Sequence, residues 1–269
     1  MILFPSAKIN LGLNVINKRH DGFHEIETCM VPIPLYDVLE VKVQKKFQFI
    51  QTGIKFSNHQ EDNLCVKAYN LLKKNHDIDP VYIHLHKKIP VGAGLGGGSS
   101  DSAFTLKALN NLFELNISSD ELKRISNELG SDCPFFIDST PKYCTGRGEI
   151  MQNSNIDLSD FYIKLIYPSI HISTKKAYSL IKNYASLQSF HDLDKISVSE
   201  WRTQIKNSFE EPLFKENIEL KKIKENLYNE GAKYASMSGS GSTIYGLFEE
   251  KPDYSSNLPF SYFQWIEKL

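Results

Sequence analysis

Apolar and polar residues alternate with a period near two over residues 9–16 (INLGLNVI), which predicts a half-buried strand. Residues 22–33 predict a second strand, and 38–50 (VLEVKVQKKFQFI) alternate again. The period then changes. Leu64, Ala68, Leu71 and Leu72 recur at helical spacing behind Asp62-Asn63, a pair suited to an N-cap. Residues 81–86 (VYIHLH) return to a strand, a glycine-rich loop follows, and SDSAFTLKALNNLF behind it predicts an amphipathic helix. A further helix is predicted over Ser119–Leu129, capped by Ser119 or Asp120 and stopped at Gly130.

The texture changes after about residue 150. The polar stretch QNSNIDLSD precedes a predicted strand at 162–167 (YIKLIY) and helical patterns at 174–183 and 216–229. Strands predicted at 233–237 and 243–248 flank a second small-residue run, SMSGSGST. The expectation is an α+β protein of two domains, residues 1–152 and 153–269.

Composition narrows the class. The 269 residues are 41% hydrophobic and 23% charged, as in ordinary soluble domains. Lys and Arg number 31 against 32 acidic residues, a net charge of −1. Nucleic-acid binders draw their affinity from a basic excess, so that class of partner is excluded. Cys29, Cys65, Cys133 and Cys144 lie far apart with no CxxC pair, so neither a zinc site nor a disulfide framework follows. A reducing, cytoplasmic compartment is expected. The apolar start MILF stops at Pro5, too short for a signal segment, and no stretch reaches the length of a membrane span.

The chemistry concentrates in PVGAGLGGGSSDS, residues 90–102. Five of the 15 glycines, Gly92, Gly94, Gly96, Gly97 and Gly98, fall within seven positions. Glycine loses more backbone entropy on ordering than any other residue. Such density suits a place where backbone N–H groups close around a bulky group with no Cβ in the way. Ser99 and Ser100 are expected to cap the following helix, whose N-terminus attracts an anion, and together these make a phosphate nest. A plain flexible linker is the alternative; the strand before and the helix directly behind favour the anion. The loop is not a Walker A motif, because serine stands where the lysine belongs. GAGLGG fits GxGxxG by letters, but no βαβ unit with a suitably spaced acidic residue follows.

Other candidates carry two readings each. Lys8 and Asn10 share one face of the first strand; an inward lysine needs a partner or a ligand, whereas on an edge strand it would face solvent. Asp132, just past a helix stop, is either a turn residue or a partly buried base. SMSGSGST taken alone reads as a hairpin turn. His84 and His86 alternate on a strand without a third ligand in view, which favours a solvated face. Cys133 is expected to be a small buried residue.

PSAKIN, PVGAGLGGGSS and SGSGST, in this order, resemble the GHMP kinase superfamily of galacto-, homoserine, mevalonate and phosphomevalonate kinases. DGFHEIET, EDNLCVKA, LGSDCPFF, TGRGEI and NSFEEP extend the resemblance over nearly the whole chain. They point to the branch acting on a cytidine diphosphate-linked methylerythritol in the non-mevalonate isoprenoid route. The resemblance implies a two-domain fold, an N-terminal domain of the ribosomal-protein type and a ferredoxin-like C-terminal domain. It implies ATP with Mg2+ as phosphate donor, a small-molecule acceptor, and a monomer or weak homodimer. Pro90, Gly92, Gly94, Leu95, Gly96, Gly97, Gly98, Ser99 and Ser100 would then wrap the phosphates. Asn63 would flank the adenine pocket, although its role as helix cap is equally credible. Asp132 would take the proton of the substrate hydroxyl, and Lys8 would stabilise charge on the transferred group. Phe23 would stack on the cytosine, worth about 1–3 kcal/mol, with His24 bonded to its edge. Many relatives carry tyrosine at the position of Phe23. Asn10, Ser238 and Gly239 would meet substrate. Ser208 stands where relatives often carry aspartate, which weakens a role there. A different GHMP kinase is the nearest rival, and the DGFHE segment argues against it. A non-catalytic relative is a second rival, and the intact Lys8, Asp132 and loop argue against that.

Overall fold

A computed structural model of the chain describes residues 1–54, 60–184 and 189–269. The chain opens with β1 (Ile2–Leu3) and two long strands, β2 (Ser6–Lys18) and β3 (His24–Tyr36). Next come β4 (Val38–Val43), β5 (Gln48–Gly53), α1 (Leu64–Asn75) and β6 (Val81–Lys87). The segment predicted as one strand over 38–50 is thus two. Leu39, Val41, Val43, Phe47 and Phe49 keep one phase across Lys45-Lys46, yet the chain crosses over there so that β4 and β5 lie on opposite sides of β6, antiparallel and parallel to it.

Beyond the glycine loop run α2 (Gly97–Leu112), α3 (Ser119–Asn127), α4 (Phe135–Asp138), β7 (Lys142–Thr145) and β8 (Ile150–Asn153). The cap of α3 is Ser118, whose hydroxyl accepts from the Glu121 N–H at 3.3 Å, one residue before the expected Ser119 or Asp120. The remainder comprises β9 (Tyr162–Tyr167), α5 (Thr174–Ser179), α6 (Val198–Gln204), α7 (Glu210–Glu216), α8 (Ile218–Asn229), β10 (Tyr234–Met237), β11 (Ile244–Phe248) and β12 (Phe263–Lys268). Strands β7, β8 and β12 and helices α4, α6 and α7 are too short or too irregularly patterned for periodicity to announce them.

Contacts divide the chain into two compact units. Met1–Lys8, Leu35–Val91 and Gly96–Thr140 form the first; Ile9–Pro34, Gly92–Leu95 and Pro141–Leu269 form the second. In the first, the sheet β1-β4-β6-β5 carries α1 and α2. Alternation along β6 buries Val81, Ile83, Leu85 and Lys87, while α2 buries Ala103, Leu106 and Leu109. The second unit has the sheet β2-β3-β7-β8 and the sheet β10-β11-β9-β12. Leu13, Ile26, Ile166, Phe209, Leu220, Ile223 and Met237 share its core. Lys164, fully buried on β9, is satisfied by Glu230 at 2.7 Å, the Asp253 carbonyl at 2.6 Å and Ser255 at 2.8 Å.

Leu165 is fully buried on β9, opposite Tyr245 and Trp265. Leu165→Ala is expected to cost about 2–5 kcal/mol, read as a lower urea midpoint at unchanged slope.

Candidate active site

The glycine loop follows β6 and leads into α2, and its backbone has the shape its composition suggests. Gly92, Gly94 and Gly96 take left-handed φ angles of +67°, +82° and +70°. Between them Ala93 and Leu95 are buried, each 1% exposed. Left-handed glycines set between buried neighbours are the kind of backbone from which anion nests are built. A Cβ on Gly94 would stand 2.1 Å from the Ser238 carbonyl oxygen, so only glycine fits. The helix cap is Gly96, with no side-chain cap bond, and the expected caps Ser99 and Ser100 lie inside the first turn. A Cβ at 96 would stand 2.8 Å from the Phe136 ring and 3.1 Å from Lys8 Cε, so a capping side chain has no room there. Ser100 is buried and its Oγ has no protein partner. Pro90 is buried at the start of the loop, and Gly98 is exposed.

In the first unit Lys8 is 3% exposed, which settles its orientation as inward. Its Nζ lies 3.5 Å from Asp132 Oδ2, and Asp132 keeps a third of its side chain exposed. Lys8 Cε would be 3.1 Å from a Cβ on Gly96, so this ion pair and the loop adjoin. Cys133 is fully buried beside Ser102 Oγ at 3.3 Å; burial pushes its thiol up, away from the reactive thiolate. Asn63 caps α1, its Oδ1 accepting from the Cys65 N–H at 2.9 Å while its amide donates to Gln51 at 3.3 Å. His84 and His86 both meet Thr52 Oγ1 at 2.9 Å. No cluster of three His, Cys, Asp or Glu able to hold a metal occurs among the described residues.

The second unit assembles the other small-residue run against Gly94. Ser238 Oγ donates to the Gly94 carbonyl at 2.8 Å and accepts from the Asn10 N–H at 3.3 Å. Asn10 turns its amide onto Thr28 at 3.0 Å, and Tyr245 donates to its carbonyl at 2.8 Å. Asn207, from the NSFEEP stretch, donates to the Met237 and Gly239 carbonyls, each at 2.8 Å. Ser208 donates to the Leu13 carbonyl through its N–H at 2.7 Å and accepts from the Val15 N–H through Oγ at 3.1 Å. It serves the backbone of β2.

Phe23 and His24 lie at the β2–β3 turn. Phe23 is 52% exposed with the Arg147 guanidinium 4.7 Å above its ring. The His24 ring stacks on Tyr178 at 4.5 Å and 17°, with Tyr184 tilted at 6.4 Å. Burial and the Lys18 charge hold the His24 pKa below its ordinary value, so the ring is neutral at pH 7. Arg147, Tyr178 and Tyr184 escaped the sequence reading; Arg147 of TGRGEI carried the only signal, a basic residue between two glycines.

A buried charge cluster also escaped it. Lys87 Nζ donates to Asp37 and, at 2.7 Å, to Asp101 Oδ2, with all three residues at most 4% exposed. The signal was available: Lys87 continues the inward phase of Val81, Ile83 and Leu85. Burial pulls the Lys87 pKa down, but the charges of Asp101 and Asp37 overcome it and leave it raised. Burial, reinforced by Asp37 and opposed by Lys87, pushes Asp101 up to about 7.

Comparison with known proteins agrees with this architecture. The family models described as GHMP kinases N terminal domain and GHMP kinases C terminal match residues 63–139 and 180–255. A 4-diphosphocytidyl-2-C-methyl-D-erythritol kinase of Parabacteroides distasonis is 46% identical over the full length of both chains. One from a Thermoanaerobacter species is 38% identical over 91% of this chain and 86% of its own. A solved structure of 4-(cytidine 5'-diphospho)-2C-methyl-D-erythritol kinase matches with a TM-score of 0.81 at 30% identity, covering 92% of this chain and 90% of that one. The mevalonate kinase of Methanococcus jannaschii, at 17% identity and a TM-score of 0.68, shares the fold over 92% of this chain and 90% of its own.

The Asp101 carboxyl is raised on folding from 3.8 to about 7, so the native state holds a proton there that the unfolded chain releases. Its contribution to stability therefore falls as pH rises through that window and levels off above it. Asp101→Asn removes this loss, and its melting temperature should gain on the parent between about pH 5 and pH 8. A constant difference across that range would contradict the assignment.

Proposed function

This chain belongs to the GHMP kinases, and from that premise we propose that it phosphorylates the 2-hydroxyl of 4-(cytidine 5'-diphospho)-2-C-methyl-D-erythritol, in the non-mevalonate isoprenoid pathway. That it is an ATP-dependent small-molecule kinase follows from the family; the acceptor and the residue roles are our reading. The observation that carries it is the Lys8–Asp132 pair beside Gly96 of the glycine loop. Full-length identity of 46% to a relative bearing that substrate's name supports the choice of acceptor.

The loop residues fit a triphosphate. Gly92, Gly94 and Gly96 all take left-handed φ angles, and the buried Ser100 hydroxyl lacks a protein partner in the first turn of α2. ATP supplies the phosphoryl group, with Mg2+ neutralising phosphate charge. Mg2+ takes oxygen ligands and keeps several waters, so it would enter with the nucleotide, held by phosphate oxygens and water.

Asp132 accepts the proton leaving the acceptor hydroxyl as its oxygen bonds to phosphorus. Its part exposure leaves it reachable, and Lys8 Nζ stands 3.5 Å from its Oδ2. Lys8 also offsets negative charge on the phosphoryl oxygens. Phe23 presents a face for the base and neutral His24 offers one donor and one acceptor to its edge. Asn10, Ser238 and Gly239, within the second unit, are assigned to the acceptor in this reading. In this reading residues 1–152 form the ATP-binding domain and 153–269 the second domain, in a cytoplasmic monomer or weak homodimer. No helix among the described residues is long and apolar enough to cross a membrane.

Turnover with the cytidine substrate, mevalonate and homoserine in parallel tests the acceptor: phosphorylation of the first alone is expected, and turnover of mevalonate alone would refute it. Asp132→Asn should cut kcat by about 10²–10⁴-fold with ATP affinity retained. Normal turnover in that variant would remove Asp132 from the mechanism.

A further inference from the structure

Asp37, Lys87 and Asp101 bracket the glycine loop at its base. Asp37 Oδ1 accepts from the N–H groups of Lys88 at 2.5 Å and Ile89 at 2.9 Å, the two residues that lead into Pro90 and the loop. Asp101 lies at the start of α2, into which the loop runs. Lys87 bonds the remaining oxygen of Asp37 and Oδ2 of Asp101, and so joins the lead-in to the exit. It passes directly against the helix start. A Cβ on Gly97 would stand 3.1 Å from Lys87 Nζ and 2.8 Å from Ile89 Cγ2, so glycine at 97 makes room for this bridge.

The cluster is a poor choice for stability alone. Two carboxylates oppose one ammonium in a closed interior, and well-packed apolar residues of similar size commonly serve a core as well or better. Asp101 Oδ1 is buried with no partner at all. One lysine and one aspartate would have balanced in charge; the second aspartate adds only the link to α2.

We propose that the Asp37–Lys87–Asp101 triad is a positioning device for the phosphate loop, with Asp101 setting the affinity for ATP by fixing the loop's exit to its lead-in. This rests on the reading that the loop binds the ATP phosphates. Asp101 touches no nucleotide in this scheme; it acts through Lys87 on the chain that does. Because Asp37 remains paired with Lys87 when Asp101 is replaced, removal of Asp101 leaves a balanced ion pair and not an orphaned charge.

Steady-state kinetics of the full chain test it. Asp101→Leu, which removes the carboxylate and keeps the branched shape, should raise the KM for ATP about tenfold or more, with kcat at saturating ATP and the acceptor KM within about twofold. Asp101→Asn, which keeps an acceptor for Lys87, should restore the ATP KM to within about threefold of the parent. A purely architectural role would lower the folded fraction, and with it kcat, without moving the ATP KM or being split by the Asn variant. Asp101→Ala provides a second removal if the leucine variant fails to fold, and must show the same split. An unchanged ATP KM in the removals, or an Asn variant as impaired as they are, overturns the proposal while the function stands. A parent enzyme without saturable ATP dependence fails both.

Discussion

Backbone N–H groups can be gathered around an anion only where no Cβ intervenes, and a chain without side chains cannot hold such a shape by itself. The loop at 90–98 alternates the two kinds of residue such a shape requires. Glycines at 92, 94 and 96 supply the left-handed angles, and Ala93 and Leu95 sink into the interior as anchors. The second small-residue run then has a structural purpose. The Ala93 carbonyl accepts from the Thr243 N–H at 3.1 Å, and the Gly94 carbonyl accepts from Ser238. Asn207 in turn fixes the carbonyls on either side of Ser238. SGSGST is therefore small because Gly94 must approach its backbone, whatever else it meets.

Two buried lysines of the first unit illustrate how geometry divides labour between similar groups. Lys87 is bonded to two carboxylates that are themselves closed off from water, and its pKa is raised despite burial. Such an ammonium is committed to the fold. Lys8 pairs with Asp132 at 3.5 Å, and that partner is a third exposed. A longer pair with a solvent-reaching carboxylate can be remade around a ligand at low cost, which is what charge stabilisation during transfer requires. Burial alone would have ranked the two lysines together; the exposure of the partner separates them.

The long strands, α1 and α2 are legible from their periods and β9 through β11 as short apolar runs, although β2 is buried on both faces over its first ten residues and not half-buried as its alternation predicts. The misreadings have local causes. Ser99 and Ser100 look like caps by residue type, yet the cap position needs φ near +70° and falls to Gly96. Residues 38–50 keep an apolar alternation across Lys45-Lys46, so the crossover from β4 to β5 leaves little trace in the pattern. Lys87 is of a residue type found mostly at the surface, although its phase on β6 places it inward. In sequence Tyr178 belongs only to a helical pattern and Arg147 only to TGRGEI; their contacts with His24 and Phe23 form when the chain returns to the β2–β3 turn.

Fold alone cannot choose the acceptor, since a mevalonate kinase shares it at 17% identity. In the proposed function discrimination falls to Phe23 and His24, and it depends on the protonation of one ring. A neutral imidazole presents one donor and one acceptor, as the edge of a pyrimidine does; a protonated one presents two donors and mismatches. Stacking on Tyr178 and partial burial keep water from His24, and the positive charge of Lys18 works in the same direction. The side chain that reads the base thus relies on an aromatic neighbour more than a hundred and fifty residues away in sequence. Changing that neighbour to a smaller residue would rehydrate His24 and loosen base selection without touching the phosphate loop.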